Sequence, residues 1–222
     1  MNFFGHAAVA CWRTTAPPFV LGAMLPDFAA MIRARPPGSA HAQIASGMRF
    51  HHRTDHVFHD APSFRALSTS AFAALSQLGL RRGSARAVAH IGVEILIDAA
   101  LARDSVARRA YLEALGAAEE AELGRDIAWR DASERARFAD LQRALLERGV
   151  GEGGVSPELV AWRVARALAG RARLELALPD QPAVERWAAA AAPDVLGRVP
   201  EILAEVARAL NIEAGSPITT CP

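Results

Sequence analysis

The stretch from Arg49 to Asp60 reads Arg-Phe-His-His-Arg-Thr-Asp-His-Val-Phe-His-Asp. It holds four of the chain's seven histidines, beside two aspartates and two arginines. On a helix, positions four apart share a face. His51, Asp55 and His59 then form one stripe, and His52, His56 and Asp60 the adjacent one. Neutral imidazoles and carboxylates are ligands for zinc and manganese, so metal binding is the chemistry this pattern points to. The plainer alternative is a polar helix whose histidines share no task. A metal site also needs partners elsewhere in the chain.

Candidates for those partners lie on apolar segments of the first half. His6 sits among Phe3, Phe4, Ala7, Val9 and Ala10. Asp27 follows Pro26 inside the apolar run from Phe19 to Ile32. From Ala87 to Leu101 the chain is apolar on every side except for His90, Glu94 and Asp98, again four apart. A helix apolar all round is buried, and a buried charge without a partner is costly. Each residue alone has an ordinary reading: His6 as a core histidine bonded to a carbonyl, Asp27 as a cap, Glu94 as the partner of an arginine. Together they predict one buried polar focus, and metal coordination is the most economical way to satisfy it.

Three segments carry a resemblance. Met1-Asn2-Phe3-Phe4-Gly5-His6 resembles the Met-Asn-Phe-Leu-x-His start of the acyl carrier protein phosphodiesterase family. Gly22-Ala23-Met24-Leu25-Pro26-Asp27-Phe28 is similar to that family's Gly-Asn-Leu-Leu-Ala-Asp-Phe. Gly47-Met48-Arg49-Phe50-His51-His52-Arg53-Thr54-Asp55 resembles its Gly-x-x-x-His-Arg-x-x-Asp. The order agrees, over about the first 100 residues. The resemblance implies a helical relative of the His-Asp metal phosphohydrolases. It implies metal ligands at His6, Asp27, His51 and Asp55, with manganese first and zinc or iron as alternatives. The implied reaction releases 4'-phosphopantetheine from acyl carrier protein. The chain departs from the family at Arg49, His52 and Pro26, and places His90 and Glu94 where the family carries aspartates. A second resemblance is to zinc-dependent phospholipase C and its nuclease relatives, through a histidine followed by Gly-Ala-x-x-Pro-Asp; the tryptophan those enzymes use at a mature N-terminus is not matched.

For phosphodiester hydrolysis the expected roles follow from residue chemistry. Arg53, with Arg49 on the same face, can hold non-bridging oxygens by paired hydrogen bonds; the alternative is a pair of solvated arginines. His52, His56 and His90 are candidates for general acid or base. Glu94 and Asp98 are candidate ligands, orienters of a histidine or members of an ion pair. His59-Asp60 reads as a helix boundary before a ligand pair, and His41 as a surface residue. The sites expected to act in catalysis are Arg53, His52, His90 and Glu94. Rival readings are a zinc-dependent phospholipase C-like or other phosphoesterase, and a non-catalytic helical binding protein in which the cluster is structural.

The elements that must position these residues are helical. Alanine, leucine and arginine dominate, and β-branched residues are sparse, which favours helix. The expected fold is all-α, a single-domain multi-helix bundle over 1–222 resembling the His-Asp metal phosphohydrolase fold. A metal-site half is expected at 1–104 and a helical half at 105–222, with a glycine-rich joint near 149–154. Helices are predicted from Phe3 to Arg13 with Asn2 as cap, Phe19 to Ile32 with a kink or restart at Pro26, His41 to Phe58, Pro62 or Ser63 to Leu78, and Ala85 to Ala102 with Ser84 as cap. They continue near Val106–Glu122, Ser133–Arg148, Pro157–Leu176, Ala183–Ala192 and Val199–Ile212. No alternating strand pattern of convincing length stands out. All the basic charge is arginine, and the net charge of +1 advertises no nucleic-acid partner. Acyl carrier protein or another phosphodiester is the expected partner, with a solvated helix surface as the ordinary reading of Arg163, Arg166, Arg171 and Arg173. The two distant cysteines, Cys11 and Cys221, suit a reducing compartment. With no basic segment before an apolar run at the start, a soluble cytoplasmic protein without membrane insertion is expected.

Overall fold

A computed structural model describes residues 1–118, 121–151 and 155–213. The protein is all-α, with two-residue strands as its only sheet among the described residues. Backbone contacts group the chain into two compact units. The first is Met1–Val57, Leu101–Glu152 and Val206–Pro222; the second is Phe58–Ala100 and Gly153–Glu205. None of the helices is long and apolar enough to cross a membrane, among the described residues.

In the first unit, α1 (Phe3–Ala10) starts where the Asn2 side chain accepts a hydrogen bond from the Phe3 amide at 3.1 Å. Nearly every side of α1 is buried, from Phe4 through Ala10, because its small and aromatic side chains offer no polar face. It packs on α2 (Pro17–Met31) and on α6 (Ser105–Ala117), which itself packs on α2. Phe3 meets Phe28 with ring centroids 5.5 Å apart, and Phe4 meets Tyr111 edge-on at 5.4 Å; such pairs are worth about 0.5–1.5 kcal/mol beyond the area they bury. Helix α8 (Ala132–Arg148), capped by Asp131, adds Phe138 against Phe28 and Trp129. A short helix, α7 (Ala121–Arg125), precedes the bridge in which Gly38–Ser39 (β1) pairs antiparallel with Ile127–Ala128 (β2).

Pro17 and Pro18, outside the helix predicted to begin at Phe19, open α2. Proline lacks an N–H that the first helical turn would leave unpaired anyway. Pro26 lies inside α2, which is assigned without a break. Helix α3 runs from Ala42 to Asp60, so it extends past Phe58 and takes in both His59 and Asp60.

In the second unit, α4 (Pro62–Gln77), α5 (Arg82–Leu101), α9 (Pro157–Leu168) and most of α10 (Gln181–Leu210) supply the core. Gly92 of α5 lies where Trp187 needs room: a Cβ there would sit 2.5 Å from the indole. Ser63 at the start of α4 donates its amide and hydroxyl to the Glu205 carboxylate at 3.1 and 2.9 Å.

Further helix boundaries differ from expectation. Ser84 lies within α5 and is not its cap; its hydroxyl donates to the Glu175 carbonyl at 3.2 Å. Helix α9 stops at Leu168 because Ala169 turns extended, at ψ 132°, and Gly170 at φ 74° completes a tight turn that Arg171 closes by donating to the Leu168 carbonyl at 3.1 Å. The two helices expected at Ala183–Ala192 and Val199–Ile212 are one, α10, running through Pro193 and Pro200. Both prolines are exposed, as is Ala189, whose carbonyl loses its helical donor to Pro193, so water can replace the missing bond. Of the glycine-rich joint, Gly149 caps α8 at φ 62°, and 152–154 lie outside the described residues. So do 119–120 of the helix expected to reach Glu122, and Cys221.

Candidate metal centre

The site in the first unit begins with a close approach between α2 and α3. Gly22 and Gly47 face each other without side chains. A Cβ on Gly47 would lie 2.2 Å from the Phe19 carbonyl oxygen and 2.9 Å from the Gly22 Cα. A Cβ on Gly22 would lie 2.3 Å from the Ile44 carbonyl oxygen. One turn after Gly47 comes His51, on the same face of α3. Its Nδ1 therefore reaches the Ala23 carbonyl of α2 at 2.9 Å. The carbonyl is an acceptor only, so Nδ1 carries the proton and the lone pair is on Nε2.

His6, from α1, lies against His51 with ring centroids 3.8 Å apart. Its Nε2 is 4.0 Å from Oδ2 of Asp27, on α2, and 3.6 Å from Oδ1 of Asp55, one turn beyond His51. One ligand atom from each of His6, Asp27 and His51 lies within 4.8 Å of the others. The Asp55 carboxylate also accepts from the Met1 amine at 3.2 Å. Three of the four residues expected as ligands thus form one group, and the fourth touches it.

Burial is graded across this group. The His6 side chain is 1 % exposed, Asp27 28 % and Asp55 40 %. The imidazoles form a closed floor and the carboxylates an open rim. Burial first, and the neighbouring His6 second, push the His51 imidazole down to about 3. His51 is therefore neutral across the ordinary pH range, which is the form that binds a metal. The second ring nitrogen of a ligating histidine is commonly held by a carbonyl, as Nδ1 of His51 is here. Around a tetrahedral ion with bonds of about 2.0–2.2 Å, donor atoms stand roughly 3.3–3.6 Å apart. The separations of 3.6 and 4.0 Å are near that range. The nitrogen and oxygen donors of these side chains fit a divalent first-row ion.

Of the residues expected to act in catalysis, His52 and Arg53 belong to the first unit and His90 and Glu94 to the second. His52 stands edge-on to His51, with ring centroids 5.3 Å apart, and is exposed. Arg53 is exposed and donates to the Leu210 carbonyl at 3.5 Å. In the second unit, His90 and Glu94 meet His59, the residue read from sequence as a helix boundary. The signal for His59 was present in the His51-Asp55-His59 spacing. What hid its partners is that they come from another helix. Asp98, one turn beyond Glu94, is buried. Cys11 offers no nucleophile: burial, then the Asp104 carboxylate, raise its thiol to about 11.

The chain matches no family model, no curated protein and no solved structure.

Proposed function

We propose that this protein is a divalent-metal-dependent phosphoric diester hydrolase. The observation that carries the proposal is the convergence of His6, Asp27 and His51 from separate helices, with Asp55 at their rim. The ion implied, manganese first and zinc or iron as alternatives, would lower the pKa of a coordinated water and polarise a phosphoryl oxygen. His6, Asp27, His51 and Asp55 would hold it. His51 enters that role in a fixed tautomer, because its Nδ1 proton is committed to Ala23. Asp27 and Asp55, the more exposed members, face the side from which a phosphodiester can approach. His52 and Arg53 are exposed on the next positions of α3, Arg53 with one donor on the Leu210 carbonyl. In this reading Arg53 binds non-bridging oxygens and His52 moves a proton at the leaving oxygen.

The three motif resemblances support the 4'-phosphopantetheine linkage of acyl carrier protein as substrate, and a cytoplasmic location belongs to the same proposal. The test is direct. Chelator-treated protein is resupplied with Mn2+, Zn2+ or Fe2+ and assayed against holo-acyl carrier protein, bis-p-nitrophenyl phosphate and phospholipid vesicles. Turnover that needs the ion and disappears in His51→Ala is the expected result. Turnover of phospholipid alone would move the protein to the phospholipase C class. Metal binding without turnover of any of the three would leave a non-catalytic binding protein.

A further inference from the structure

We infer that His59, His90 and Glu94 form a second divalent-cation site, of the class that takes zinc, within the second unit. The ring nitrogens of two histidines converge on one carboxylate oxygen. Nε2 of His90 is 3.3 Å from Oε1 of Glu94, and Nε2 of His59 is 3.7 Å from the same atom. One ligand atom from each residue lies within 4.8 Å of the other two. A tetrahedral ion holds its donors roughly 3.3–3.6 Å apart, so these spacings suit a shared ion. The His59 contact, at 3.7 Å, is beyond hydrogen-bond range, and the hydrogen bond between His90 and Glu94 holds the carboxylate toward the two rings.

The rings are held in place. His59 and His90 stack with centroids 4.7 Å apart and an interplanar angle of 23°. Phe64 stands edge-on to both, at 5.3 and 5.5 Å, and Phe58 edge-on to His59 at 5.3 Å. Both phenylalanines are buried, so they form a fixed wall that limits rotation of the imidazoles. Locked ligand rotamers are what a metal site requires. The i,i+4 spacing of His90 and Glu94 on α5 is the spacing by which one helix offers two ligands on one face.

The chemistry of the set indicates the ion. Two imidazoles favour zinc or a similar transition ion over magnesium or calcium, which prefer all-oxygen sites. Two histidines and one glutamate is also a donor set that leaves a fourth position for water in catalytic zinc sites. Access is open, since the His59 and His90 side chains are 31 % and 46 % exposed while Glu94 is 12 % exposed.

The test reads metal, not turnover. Chelator-treated full-length protein is dialysed against Zn2+ and its ions counted by elemental mass spectrometry; Co2+ is titrated in parallel and its visible d–d absorption recorded. Two ions per chain are expected. Glu94→Gln and His90→Ala should each lose one ion and the absorption band that belongs to it, and His51→Ala should lose the other. His90 is half-exposed, so its variant tests the site with little demand on folding, checked by helical circular dichroism. If Glu94→Gln and His90→Ala keep the full ion count and spectrum, the second site does not exist. If one ion binds and only His51→Ala removes it, the second site is overturned while the centre in the first unit stands. If one ion binds and only the Glu94 and His90 variants remove it, the second site stands and the proposed hydrolase centre loses its ion. If no ion binds, both are overturned.

Discussion

His51 Nδ1 donates to the carbonyl oxygen of Ala23 at 2.9 Å. Through that bond the helix carrying one candidate ligand is keyed to the helix carrying another, because Asp27 stands one turn after Ala23 on α2. The bond exists only because Gly22 and Gly47 let the two backbones approach. The glycines and the histidine therefore form one device. Gly47 removes the steric barrier, and His51, on the same face, uses the space.

Replacing Gly47 tests that device. In Gly47→Ala the new Cβ would lie 2.2 Å from the Phe19 carbonyl oxygen, and backbone cannot move aside as a flexible side chain can. Overpacking of this kind costs about 1–3 kcal/mol. Urea unfolding should show the loss, and metal affinity should fall because His51 is carried away from Ala23. Gly116→Ala is the control. Nothing lies within 4 Å of its would-be Cβ, and its stability should stay within about 1 kcal/mol of the parent. Equal losses in both variants would remove the close approach from the argument.

Stability of the metal-free protein should depend on pH through His51. Its imidazole is depressed to about 3, whereas an unfolded histidine titrates near 6.5. Between those values the unfolded chain binds the extra proton. The contribution of His51 is therefore complete above about pH 6.5 and is lost as pH falls from there toward 3, by up to about 1.4 kcal/mol per unit. Urea unfolding at pH 7.5 and 4.5 should show the decline, and His51→Gln should flatten it. An unchanged slope in that variant would assign the pH dependence to other groups.

How far the sequence discloses this arrangement depends on the range of the interactions involved. The helical class, the Asn2 cap and the grouping of His6, Asp27, His51 and Asp55 follow from local pattern and motif. Boundaries set by tertiary contact do not. Ser84 has the chemistry of a cap, yet spends its hydroxyl on Glu175. Pro193 and Pro200 look like helix breaks, but solvent can satisfy what they leave unpaired. Gly22 and Gly47 stand in the motifs without announcing that they face each other. His59 reads as a helix boundary because Pro62 follows it closely, and nothing local shows that His90 and Glu94 of α5 meet it.

The thiol of Cys11 should be slow to react. With its pKa raised to about 11 by burial and Asp104, its thiolate fraction at pH 8 is smaller than that of a free cysteine by about a hundredfold. In a Cys221→Ser background, iodoacetamide should modify the native protein slowly, with a rate rising through pH 10, and the urea-unfolded protein rapidly. Rapid alkylation of the native form at pH 8 would show that the thiol is neither shielded nor depressed in reactivity.

Metal removal should destabilise the protein in proportion to site occupancy. An ion that binds the folded chain alone adds RT ln(1 + [L]/Kd), about 2.7 kcal/mol at a hundred times Kd. Convergence of His6, Asp27 and His51 requires the fold, since the three come from different helices, so the unfolded chain cannot reproduce the site. Thermal unfolding of chelator-treated protein should therefore shift upward as Mn2+ or Zn2+ is added, with a midpoint that keeps rising with the logarithm of ion concentration above Kd. His51→Ala should abolish the part of the shift due to the first unit, and Asp55→Asn should reduce it less, because Asp55 lies at the open rim and has the Met1 amine as a partner. A shift that His51→Ala leaves intact would place the stabilising ion somewhere other than on His51.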